Sequence, residues 1–442
     1  MRRVLVVSPH FPPDSTAATH RVRLVAPHLE GHGWEPTVLT VDPRDYEGPL
    51  DPALAASVPA SLRVVRVRAW PAQTTRAIGL GDLGLRAYTG LRRAALELTT
   101  RERFDAVFIT IYPTYPALLG PLLEKRSGVA FVLDYQDPWV GAWGDSVGGG
   151  PGGRVDAKSR WSRRLAAALE PRALVAADGV TAVSRETIDQ ALARTPSAQP
   201  VATAELPIGH DRRDFTFVDR AERRLPGRGD DGLVHLSYVG TLLPTGYDTL
   251  RAVFQAIARL RQDGGSVARL RLHFFGTSNQ RAADAPQSVL PIAREHGLAD
   301  IVTEAPARLD YFEALRVLVD STAILLLGSR ERHYSPSKVY PSLLAGRPVL
   351  GLYHAASPAS ALLQQYGRPP SVRLVTYDDA HPVAGRLQEI ERHLRELLDN
   401  PTYDSAAVND AVLAPSSAGA VAGRLADVLD RAADDRIADF PA

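Results

Sequence analysis

No cysteine occurs in the chain, which removes disulfides, thiolate metal sites and cysteine nucleophiles. No stretch approaches about 20 consecutive apolar residues, so a membrane-spanning helix is not expected. Neither sign of charge is in excess. The 51 Lys and Arg against 50 Asp and Glu leave a net charge of +1, and with it no bulk electrostatic reason to bind nucleic acid or an anionic membrane. Gly-x-Gly-x-x-Gly is missing, and with it the dinucleotide signature; Gly-Lys-Ser/Thr is missing, and with it the P-loop. There is no Asp-x-Asp metal motif, and no two of His20, His210 and His333 have metal-ligand spacing, so no metal is assigned. Lysine is scarce against the arginine bias, at Lys125, Lys158 and Lys338 alone, so each carries more information than usual. Met1-Arg2-Arg3 runs directly into Val4-Leu5-Val6-Val7, too short a run for a signal-peptide core, and the expectation is a soluble cytoplasmic protein.

What the sequence does have is a repeated alternation of strand and helix. Its 442 residues, 45% apolar and 23% charged, predict a folded chain of two or three domains. Apolar, β-branched runs predict strands at 3–8, 36–41, 62–67, 106–111, 130–135 and 179–183. Helical periodicity lies between some of them, at 84–100, 116–125 and 159–177. A polar, turn-rich stretch at 209–232 reads as a linker. A second alternation follows, with strands at 233–239, 270–275, 323–327, 348–352 and 372–376 and helices at 249–261, 289–295, 311–319 and 359–365. The fold class expected is α/β, with two Rossmann-like doubly wound parallel sheets facing a cleft. The domains are placed at 1–208 and 233–415, and 416–442 is expected as a helix returning to the first. The stretch 148–153, five glycines and a proline, reads either as a connector or as a loop bordering the cleft.

Ligands of such sheets bind outside the carboxyl ends of the strands. The loop at 8–21 qualifies, and its small residues Thr16 and Ala17 would let a ligand approach the backbone. The sharpest local signal is Tyr334-Ser335-Pro336-Ser337-Lys338-Val339-Tyr340-Pro341-Ser342-Leu343-Leu344-Ala345-Gly346-Arg347-Pro348-Val349-Leu350. Ser337 reads as the N-cap of a short helix, with Lys338 beside exposed amides that would suit a phosphate; the alternative is an ordinary capped helix with a solvated lysine.

Ser337-Lys338 and the Ala345–Leu350 segment resemble the donor-site motif of family 4 glycosyltransferases of GT-B fold. Other segments are similar to that family in the same order: Val4–Pro13 followed by Ala18–Arg23, Asp134-Tyr135-Gln136-Asp137-Pro138-Trp139, Ala177–Ser184, Leu206–Asp211 and Ser237–Thr241. The departures are specific. The family's Glu-x7-Glu pair falls on His333 and Pro341, with Glu331 nearby as a substitute carboxylate. Its diphosphate-clamping Arg and Lys fall on Thr241 and Thr245. Gln136 stands where Arg is usual.

The resemblance implies a metal-independent transferase that moves a sugar from a nucleoside-diphosphate sugar, GDP- or UDP-linked, with retention of configuration. That sugar nucleotide is a co-substrate, and no further cofactor is expected. The donor would contact Thr16, Ala17, Gly240, Thr241, Arg330, Ser337, Lys338 and Val339. Asp134, Asp137, His333 and Glu331 are the catalytic candidates. The acceptor is expected to be a small soluble molecule, joined through oxygen, nitrogen or sulfur. Neither nucleic acid nor integral membrane contact is expected, and a second copy of the chain is a further candidate partner. Two other readings stay open on these residues: a non-catalytic binding protein on a decayed GT-B fold, and a sugar-nucleotide epimerase.

Overall fold

A computed structural model describes residues 1–48, 50–77, 80–140, 157–225, 231–264, 267–278, 280, 284–330 and 337–439. The chain forms two compact units, 1–211 with 416–442 and 212–415.

The first unit is built on a seven-stranded sheet. In chain order its strands are β1 (Arg2–Val7), β2 (Trp34–Val41), β3 (Arg63–Val67), β4 (Ala106–Ile111), β5 (Ala130–Tyr135), β6 (Gly179–Ala182) and β7 (Ala202–Glu205). They lie in the order β3-β2-β1-β4-β5-β6-β7, and every neighbouring pair is parallel. β4 and β5 are buried along their whole length, which is why they read as unbroken apolar runs rather than alternating ones. One face packs against the long helix Leu83–Arg101 through Ala87, Leu91 and Ala95. The opposite face is covered by the helix Ala418–Asp439, whose Val421, Leu425, Val428 and Leu429 join Val4, Val6, Phe108 and Val132 in one cluster.

The second unit has six strands: β8 (Val234–Val239), β9 (Leu270–Phe275), β10 (Val302–Ala305), β11 (Ala323–Leu327), β12 (Val349–His354) and β13 (Val372–Tyr377). They run β10-β9-β8-β11-β12-β13, again all parallel. Its core gathers Leu236, Tyr238, Phe254, Phe274 and Leu327 with Ile390 and Leu394. The two sheets are as the patterning predicts, with one strand more in each. β7 and β10 are four-residue edge strands, too short and too mixed in burial to announce themselves.

The stretch read as a linker, 209–232, is not a free connector over its middle. Residues Arg212–Arg220 coil against the helix Tyr311–Asp320, where Phe217 stacks on Phe312 at 5.1 Å between ring centroids. Tyr311 donates to Asp214 Oδ2 at 2.8 Å, and Arg316 reaches Asp219 at 2.9 Å. Val218 and Leu225 are buried, so alternating apolar residues inside a polar stretch anchor it to the second unit. Residues 226–230 lie outside the described residues.

Candidate functional site

In the second unit the chemistry collects beyond the carboxyl ends of β8 and β11. The chain leaves β8 through Gly240, whose φ of +117° is a left-handed-region value that disfavours any side chain. Lys338 lies alongside: a Cβ placed on Gly240 would stand 3.4 Å from its Cδ and 3.9 Å from its Nζ. The ammonium sits 4.1 Å from the centroid of the Tyr238 ring and donates to that residue's hydroxyl, which itself donates to the Thr241 carbonyl at 2.9 Å. Among the described residues no carboxylate pairs with Lys338, and burial pushes its pKa down to about 7. A half-buried cation without a counter-charge, beside a glycine that leaves room, is an arrangement suited to an anion.

The surrounding loops are fixed. Gly328 follows β11, and a Cβ there would meet the Leu352 carbonyl at 2.8 Å, so the position needs glycine. Thr249 donates to the Gly328 carbonyl at 3.0 Å. Arg330 is exposed and pairs with Asp248, in the first turn of the helix Tyr247–Gln262, so its charge is partly answered already. Thr241 is half-buried, and it is its carbonyl that holds Tyr238.

Ser337 is not the cap. It is exposed, and the helix runs Val339–Leu344 with Lys338 at the cap position and no side-chain cap. The later start has a reason: it leaves Pro341 in the first turn, where amides have no intrahelical partner and a missing N–H costs little. At six residues the helix is too short to supply much dipole, so the cation carries the site. Val339 is buried and offers only backbone. Glu331 and His333 lie outside the described residues, as do 148–153.

In the first unit a second cluster forms beyond β1, β4 and β5. Asp14 is buried and anchors the loop after β1. Its Oδ2 accepts from His10 Nδ1 at 2.6 Å, Thr16 Oγ1 at 2.6 Å and Thr19 Oγ1 at 3.0 Å. Burial works against its charge, yet His10 and the two hydroxyls outweigh it and hold its pKa below the usual value. Thr16 is therefore spent on the loop itself, while Ala17 is exposed. The His10 ring stacks on Tyr46 at 6.2 Å between centroids and lies 5.9 Å from that of Tyr112. Burial, then the charges of Asp137, Asp82 and Asp14, raise the Tyr112 pKa.

The two aspartates of the Asp134–Asp137 motif separate. Asp137 is exposed at the strand end, and the protein packed about it raises its pKa. Asp134 has no exposed surface. Its Oδ2 accepts from Arg21 Nε at 2.9 Å and its Oδ1 from Thr181 at 2.8 Å. Arg21 continues to the carbonyls of Pro207 at 2.9 Å and Leu206 at 2.5 Å. Asp134 is thus an interior anchor and faces no acceptor, because it is still within β5 with its side chain directed inward. Sequence reasoning missed His10, Asp14 and Tyr238. A His and an Asp four apart directly after the first strand were a usable signal; Tyr238 gave none, since its role depends on a lysine 100 residues away.

Among the described residues no three His, Asp or Glu side chains are grouped as metal ligands, and no helix is long and apolar enough to cross a membrane. Residues 16–207 match the glycosyl transferase 4-like domain. No curated protein matches the sequence. The fold is similar to an α,α-trehalose 6-phosphate synthase from Burkholderia multivorans (TM-score 0.56, 13% identity, 100% of this chain and 99% of that one). It is also similar to HepE of Anabaena, solved with UDP and glucose (TM-score 0.53, 13% identity, 99% of each chain). A third is the lipopolysaccharide outer core galactosyltransferase WaaB (TM-score 0.51, 13% identity, 97% of this chain and 99% of that one). Residues 16–207, within the first unit, thus carry a glycosyl transferase 4-like domain, and the two parallel sheets give the chain the fold of these glycosyltransferase structures.

Proposed function

We propose that the protein transfers a sugar from a UDP-sugar to a small soluble acceptor, with the donor diphosphate held at Lys338 beside Gly240. The observation that carries this is the half-buried ammonium, which has no carboxylate partner among the described residues. As the glycosidic bond breaks, negative charge grows on the leaving diphosphate, and a cation already removed from water stabilises it more than an exposed one would. Lys338 would supply the charge that Thr241 and Thr245 cannot. Arg330 would contribute by leaving Asp248, and Gly240 and Thr241 by admitting the phosphates to the backbone. UDP is favoured over GDP because HepE, of the same fold, was solved with UDP and with UDP-glucose. Retention of configuration is what the family resemblance implies, and Asp137 is the exposed carboxylate offered to the acceptor side.

Thermal-shift titration with UDP, GDP and TDP tests the donor site. UDP should raise the melting temperature of the wild type and leave Lys338→Ala unchanged; equal shifts in both proteins would remove Lys338 from the site. Incubation with UDP-glucose alone should give slow hydrolysis and no epimerised sugar nucleotide. The anomer formed on a competent acceptor reports retention or inversion.

A further inference from the structure

We propose that Tyr238 is a positioning residue for the donor diphosphate: its ring and hydroxyl hold the Lys338 side chain charged and in place for the phosphates. This rests on the donor reading above and adds to it a residue that acts through Lys338, and every group involved belongs to the second unit. Tyr238 lies in β8 and is 1% exposed. Its ring packs against Phe274, 5.9 Å away between centroids, which in turn meets Phe254 edge-on at 5.8 Å. The hydroxyl donates to the Thr241 carbonyl at 2.9 Å. A carbonyl only accepts, so the phenolic proton is committed there. The lone pairs of the same oxygen are left to accept from the Lys338 ammonium. The ring adds the attraction of its face, with Nζ 4.1 Å from the centroid.

A free lysine samples many rotamers, and freezing them on binding subtracts from affinity. Here Tyr238 holds the far end of the side chain. Ser342 holds the Lys338 carbonyl through its hydroxyl at 2.8 Å and its N–H at 3.3 Å. One N–H of the ammonium is given to Tyr238, and the others are left for phosphate oxygens beside Gly240, which adds no side chain of its own. The hydroxyl also opposes the effect of burial, because an accepting oxygen favours the ammonium over the neutral amine. Among the described residues no charged side chain bears on the ammonium. Tyr238, from β8, is the titratable group that faces it. Tyr340 is the other on its own helix, Val339–Leu344, and Arg330 and Asp248 are spent on one another. The Tyr238 hydroxyl is therefore what favours the charged form of a lone, buried cation.

The test uses the full chain and two measurements from pH 5.5 to 9. One is calorimetric titration with UDP-glucose, whose phosphates hold their charge across that range. The other is the spectrum of lysine labelled with carbon-13 at Cε, in which Lys338 is one of three lysines. Tyr238→Phe keeps the ring and removes the hydroxyl. The Lys338 resonance should then titrate about one pH unit lower than in the wild type. UDP-glucose should bind about tenfold more weakly at pH 8, with the gap closing to within about twofold at pH 5.5, where both proteins carry the charged lysine. A Lys338 resonance that titrates at the same pH in both proteins overturns the proposal. So does a loss of affinity equal at every pH, which is what a hydroxyl that only tethers the Thr241 turn would produce. A wild type that UDP-glucose does not bind at any pH is instead the failure of the donor reading, and the lysine spectra would still show whether Tyr238 governs the ammonium.

Discussion

A side chain's usefulness here depends on what already satisfies it. Among the described residues no carboxylate answers the charge of Lys338, and its burial makes that charge expensive to the fold. Folding lowers its pKa to about 7 from the ordinary 10.5. Between those values the unfolded chain holds a proton that the folded chain has lost, so stability climbs with pH across that window. The penalty is complete at and below pH 7. Lys338→Met keeps the volume and removes the charge. It should raise the melting temperature by about 2–6 °C at pH 6.5, with the gain fading toward pH 10, while eliminating the UDP-induced shift. A variant that loses both stability and UDP binding would mean the lysine is structural. Asp134 is the opposite case, fully satisfied and fully interior. Asp134→Ala leaves the buried Arg21 guanidinium with its two carbonyl acceptors but no counter-charge, and should cost roughly 3–5 kcal/mol in denaturant unfolding. The lysine drew attention in the sequence because a rare residue type stood in a family-like motif. Which of two aspartates three apart faces solvent was not, because that turns on whether the strand ends before or after the first.

At the scale of elements, the parallel sheets were legible wherever a strand is buried on both faces, as at Ala106–Ile111 and Ala323–Leu327, since an unbroken apolar run has few other uses. One edge of each sheet was not legible, because Ala202–Glu205 and Val302–Ala305 have little apolar surface to bury and depend on a neighbour for their pairing. Sheet register also creates a pH response no local pattern reveals. β8 and β9 bring His235 and His273 into a stack 5.1 Å between centroids, with Nδ1 of the first 2.8 Å from Nε2 of the second. Burial, then the facing His235, press the His273 pKa to about 4. Below the ordinary value of 6.5 the unfolded imidazole takes a proton that the folded one refuses, so stability should fall as pH drops from about 6.5 toward 4 and be level above. Melting curves across that range check it, and His273→Gln should flatten the dependence. The turn after β8 is equally specific. Gly240→Ala forces a left-handed-region φ on a side chain that would press on Lys338, and should cost about 1–3 kcal/mol together with a measurable loss of UDP affinity.

For the whole molecule, the most consequential feature is that the last helix completes the first unit, although more than 200 residues of the second intervene. The helix Ala418–Asp439 lays Val421, Leu425, Val428 and Leu429 on the sheet. Its charged side is bound as firmly. Arg2 reaches Asp430 at 2.6 Å and also Asp434, and Arg436 meets Asp178 at 2.5 Å and Glu124 at 2.9 Å. Where the chain returns, His210 donates to the Ser416 carbonyl at 3.0 Å and Ala418 to that of His210 at 2.7 Å. Removing residues 416–442 would take away four large buried aliphatic side chains and expose their counterparts on β1, β4 and β5. At about 1.5–3 kcal/mol each, the four account for roughly 6–12 kcal/mol, which is comparable to the entire stability of an ordinary domain. The truncated chain should therefore lose the near-ultraviolet dichroism and cooperative melting of the first unit. The second unit keeps its own core and the Lys338 site, and should still melt cooperatively and still be stabilised by UDP. Breaking the ion pairs along this helix, by Arg436→Ala on the helix or Arg2→Ala on β1, should lower the first unit's melting temperature without touching the UDP response. If the truncated chain instead folded its first unit unchanged, the helix would be an accessory and not the missing layer of that sheet.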